Sequence, residues 1–187
     1  MFRRHAEIFY ALIAIGAVTA LYAAAYAFGR TLPAASSLVG HSIGMVGFVL
    51  MLVTETLYSL RKRVTDARWG PMAGWLRFHI VTGLVGPYMV LLHTAMRFNG
   101  LAGVATLLTA VVVASGIVGR YLYTALPRTL QPSTAQDSET THAADSLAAR
   151  RQALASWHAV HVPLTWALFA AAFVHATAAL FFATLQR

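Results

Sequence analysis

Five stretches of this chain run far enough without a charged side chain to cross a bilayer: Ile8 to Gly29, Thr31 to Thr54, Phe78 to Met96, Phe98 to Gly119, and one within Gln152 to Gln186. An apolar run of about 20 residues in lipid is stable only as an α-helix, because no water is there to satisfy the backbone. The expected fold is all-α, one membrane domain over residues 1–187 with five transmembrane helices near 8–29, 38–60, 76–97, 101–124 and 158–184. Composition agrees, since 11% of residues are charged and 58% hydrophobic, against about 25% charged in soluble domains. At about 20 residues per span, 187 residues are expected to leave no room for a fused nucleotide or flavin domain. The absence of Cys excludes disulfides, iron–sulfur clusters and thiol catalysis on this chain.

Turn signals separate the runs: Arg30 with Pro33, then Arg61-Lys62-Arg63 to Gly70-Pro71, then Arg97-Phe98-Asn99-Gly100. The fourth connection, 127–156, reads as a cytoplasmic linker, polar from Pro127 to Ser146 with a short helix at Ala144 to Ser156. The first run exceeds a usual signal-peptide core, so a retained helix is expected. With the N-terminus inside, eleven of the fourteen basic residues fall on the cytoplasmic side, so the positive-inside rule predicts N-in and C-out. Their place at helix ends explains the +8 charge through topology and lipid contact, and argues against nucleic acid. A bacterial inner (plasma) membrane is the expected location.

Four of the eight His lie inside spans, His79 and His93 on the third, His161 and His175 on the fifth, each pair fourteen residues apart. Fourteen steps of 100° return to within about 40° of the starting direction and advance about 21 Å. One returning helix separates these two spans, so they run the same way. His79 then falls level with His161, and His93 with His175. Two imidazoles on opposite faces of a porphyrin are the axial set of a six-coordinate haem, and an intramembrane His is costly without such a purpose. The pattern predicts two non-covalent, bis-His haem b groups, one beneath each surface. Interhelical hydrogen bonding is the plainer alternative for any single His, and two matching spacings weigh against it.

Neighbouring residues suit that site. Gly86, midway between His79 and His93, and Gly116 on the fourth span allow a flat macrocycle or another helix to approach. Arg77, Arg97 and Arg120 stand at helix ends where a guanidinium meets a haem propionate or anchors in the interface. His41 and Glu55, also fourteen apart, are candidates for supporting the site or for proton transfer at a quinone pocket. His158 breaks the face match, and Trp69, Trp75, Trp157, Tyr121 and Tyr123 read as an interfacial belt.

With His-x13-His on the third and fifth spans, and Gly119-Arg120 as context, residues 38–184 resemble the transmembrane haem domain of ferric reductases and NADPH oxidases, and more loosely the di-haem core of cytochrome b. The resemblance implies a cytochrome b subunit carrying electrons across the bilayer. Its partners would be redox subunits such as a soluble cytochrome or a flavin or iron–sulfur protein, with quinone as a further candidate. The rival classes are a quinol- or quinone-reactive enzyme, a His-lined metal or proton transporter, and a structural anchor.

Overall fold

The computed structural model describes residues 6–30, 37–64, 67–125 and 137–185, and every regular element among them is helical. In order these are α1 (Ala6–Gly29), α2 (Leu38–Arg63), a 3₁₀ turn at Ala67–Trp69, α3 (Met72–His93), α4 (Gly100–Ala125) and α5 (Asp137–Leu185). All five α-helices are long and apolar enough to cross a membrane. The chain is an integral membrane protein. Large apolar side chains accordingly face outward, Phe28 at 91% exposure and Leu21 at 73% among them.

Local chemistry sets the ends of α2. Ser37 Oγ accepts the Gly40 amide at 3.1 Å, satisfying one of the amides a helix start leaves orphaned. Arg61, Lys62 and Arg63 fill the last turn, where cations offset the negative end of the helix dipole. The Arg61 guanidinium also donates 2.9 Å to the Gly70 carbonyl, and Gly70 at φ 72° supplies the left-handed residue that turns the chain into α3. The α3–α4 reversal starts earlier than the Arg97–Gly100 signal suggested, directly after His93. It contains Ala95 and Met96, both left-handed at φ 46° and 61°, a strained conformation for residues bearing a Cβ.

Two antiparallel hairpins carry the fold, α2 with α3 and α4 with α5, and α1 packs outside against α3. Small residues set the α2–α3 distance: a Cβ at Gly47 would lie 2.9 Å from the Gly86 carbonyl oxygen, and one at Gly86 2.7 Å from Met51 Cγ. Of the two neighbours expected at Gly86, a macrocycle or another helix, the close approach present is that of α2. Below this contact the Thr54 hydroxyl donates 2.6 Å to that of Thr82. On the outside, Thr19 and Tyr88 hydroxyls join α1 to α3 at 2.6 Å. Glu7, buried on α1, pairs with Arg120 at the end of α4.

The ends of α2 and α4 and the start of α3 gather Arg61, Lys62, Arg63, Arg68, Arg77 and Arg120 at one end of the bundle, here the basic end, whereas Arg30 and Arg97 are at the other. α5 departs from expectation. It is one 49-residue helix, about 74 Å long at 1.5 Å per residue and more than twice the hydrocarbon thickness. Residues 137–156, expected as linker and short helix, are its first turns, and residues 127–136 of that linker lie outside the described residues. The reason is local: from Asp137 to Val162 there is neither Gly nor Pro. Ala, Leu, Arg and Gln dominate its second half, and these are strong helix formers.

Candidate functional site

The four intramembrane His fall into two levels. At the basic end, His79 of α3 and His161 of α5 lie within electrostatic range of each other, and both within range of Glu55 of α2. At the opposite end, His175 of α5 is within range of His93 of α3 and His41 of α2. The helices bearing them, α3 and α5, share no close seam, since α3 packs on α2 and α5 on α4. Between the two levels, Phe48 of α2 meets Phe169 of α5 edge to face with centroids 6.2 Å apart.

At each level one imidazole is held through Nδ1 by the other helix of its own hairpin. His93 Nδ1 lies 2.8 Å from the Gly40 carbonyl oxygen. A carbonyl only accepts, so the proton is on Nδ1 and the lone pair on Nε2. Gly44 makes this possible, because a Cβ there would fall 2.5 Å from His93 Cγ. His41 is exposed, its ring perpendicular to that of His93 at 5.8 Å. At the basic end His161 Nδ1 is 3.1 Å from Ser115 Oγ of α4, and Gly116 lies in ordinary contact with the ring, its built Cβ 3.8 Å from Cε1. The His79 ring lies against Tyr58 of α2 with centroids 4.7 Å apart and planes tilted by 40°, and its buried Nδ1 has no hydrogen-bond partner among the described residues.

The chain matches no family model, no curated protein and no solved structure.

The remaining candidates divide. Arg120 is committed to Glu7, while Arg77 and Arg97 are exposed at opposite ends of α3. Glu55 accepts the Ser59 hydroxyl at 2.9 Å. His158 meets Lys62 Nζ at 3.0 Å. Trp157, expected in the interfacial belt, is drawn inward: its Nε1–H donates 2.7 Å to the Ser115 carbonyl. Gly40, Gly44, Tyr58 and Ser115 had no signal in isolation. Only the antiparallel register of the hairpins brings them to the imidazoles.

His79, His161, His93 and His175 are the imidazoles that could hold haem, two at each level. The lone pair of neutral His93 is on Nε2, His161 has its Nδ1 engaged by Ser115, and the Nδ1 of buried His79, without a partner among the described residues, carries a cost of about 1–3 kcal/mol. No group of three or more His, Asp or Glu that could hold a bare metal ion occurs among the described residues.

Proposed function

We propose that this chain is a di-haem b-type cytochrome, the membrane subunit that carries single electrons between redox partners on the two sides of a bacterial inner membrane, with its N-terminus and basic end in the cytoplasm. The observation that carries this reading is the double level of His pairs on α3 and α5, each with one ring held through Nδ1 by a neighbouring helix. His79 and His161 would ligate one haem, His93 and His175 the other. When bound, haem supplies reversible one-electron chemistry at iron.

The residues of the chain do the rest. Gly40 and Ser115 orient ligands, Tyr58 and Trp157 wall the basic-end pair, and the lipid-embedded helices keep water away. Arg77 and Arg97, one at each end of α3, are suited to the propionates. The resemblance to ferric reductase and NADPH oxidase haem domains supports the same class.

The test is direct. Reduced-minus-oxidised spectra and a pyridine haemochrome assay on the purified protein are expected to give two b haems per chain. His79→Ala and His161→Ala should remove the same one, His93→Ala and His175→Ala the other. A colourless protein refutes the reading.

Glu55, within range of both basic-end His, favours a second reading in which quinone exchanges electrons and protons there. In that case Glu55→Gln abolishes quinone-dependent turnover with both haem spectra intact. Under the first reading, electrons cross quinone-free vesicles and the substitution has a mild effect.

A further inference from the structure

His161 is surrounded by a set of contacts that none of the other three imidazoles has. The Trp157 indole, one turn earlier on α5, is stacked on its ring with centroids 4.9 Å apart and planes 25° from parallel. That indole donates to the Ser115 carbonyl at 2.7 Å, while the Ser115 hydroxyl reaches His161 Nδ1 at 3.1 Å. One residue of α4 thus holds both rings, one through its backbone and one through its side chain. Gly119, a turn further on, makes room: a Cβ there would lie 2.2 Å from Trp157 Cζ2. An indole serving as an interfacial anchor would offer its N–H to headgroups and water. This one spends it inside the protein.

We propose that Ser115, Trp157 and Gly119 form a positioning device that presets His161 as a ligand. Ser115 Oγ accepts the Nδ1 proton and so selects the tautomer with its lone pair on Nε2, Trp157 fixes the ring plane, and Gly119 admits the indole. The purpose rests on the proposed haem ligation; the geometry does not. The two rings of this pair then differ in kind. His161 is held before any ligand arrives, whereas His79 has no acceptor at Nδ1 among the described residues. An acceptor at Nδ1 makes Nε2 a stronger donor and holds the ring in orientation.

The test uses the full chain in detergent or nanodiscs, with Ser115→Ala, Ser115→Thr, Trp157→Leu and, as control, Ser156→Ala at an exposed position of α5. Ser115→Ala is expected to raise the midpoint potential of one haem only and to speed its dissociation about 10–100-fold; Ser115→Thr restores both. Trp157→Leu should change the low-spin electron paramagnetic resonance signal of that same haem. Identical potentials and dissociation rates in Ser115→Ala, Trp157→Leu and Ser156→Ala would overturn the proposal. Nitrogen-15 resonances of the haem-free protein provide a separate reading. A protonated Nδ1 on His161 that is lost in Ser115→Ala supports the device, and a protonated Nε2 in the unaltered chain overturns it. A failure of the chain to bind haem would defeat the functional reading and leave this nitrogen measurement valid.

Discussion

Glycines at Gly44, Gly86 and Gly119 each remove a Cβ from a different neighbour: an imidazole, a helix backbone with Met51, and an indole. Their identity was plain in the sequence and their task was not, since only a partner helix shows what the missing Cβ would strike. Gly44→Ala places its methyl inside the His93 ring, so the ring must swing and lose the Gly40 carbonyl. The expected outcome is one haem per chain in place of two by pyridine haemochrome, with the His79–His161 haem retained. Gly83 meets nothing within 4 Å, and Gly83→Ala should keep both.

Elements in this bundle are joined by few polar contacts, because lipid offers no hydrophobic drive for helices to associate. Thr54 and Thr82 supply one, and each hydroxyl also reaches the carbonyl four residues back, on Leu50 and Phe78. A double-mutant cycle with valine, read by thermal unfolding in detergent, should give a coupling of about 0.6 kcal/mol, as interhelical hydrogen bonds in membranes average. The Glu7–Arg120 pair is different in scale, since Glu7 is 4% exposed. Arg120→Leu leaves a buried carboxylate alone and should cost about 3–5 kcal/mol, whereas Glu7→Leu with Arg120→Leu should recover most of that loss. If single and double variants unfold at the same temperature, the pair contributes nothing to joining α1 to α4.

For the molecule as a whole, two hairpins and an outer helix place most of the described basic residues at one end, with Arg30 and Arg97 at the other, and a His pair at each level. Native Cys is absent, so single introduced cysteines report orientation cleanly. In intact inverted-free spheroplasts, Arg30→Cys should react with an impermeant maleimide and Arg68→Cys only after permeabilisation, from the positive-inside distribution. Equal labelling of both in intact cells would refute the five-span arrangement with its N-terminus inside.

What the sequence by itself determined is whatever depends on distance along one helix. Hydropathy and length give five spans, and the repeat of 3.6 residues per turn puts His79 with His93, and His161 with His175, near one face of their helices. What only the tertiary structure decided is whatever depends on the flank of a second helix. Periodicity within a span is silent on which neighbour that flank meets, so Gly86 going to α2, Ser115 and Trp157 converging on His161, and Arg120 being taken by Glu7 appear only with the packing. The length of α5 has instead a local reason: polar residues 137–146 carry weak propensity and become helix when the stronger turns after them propagate backward, nucleation being costly and extension cheap.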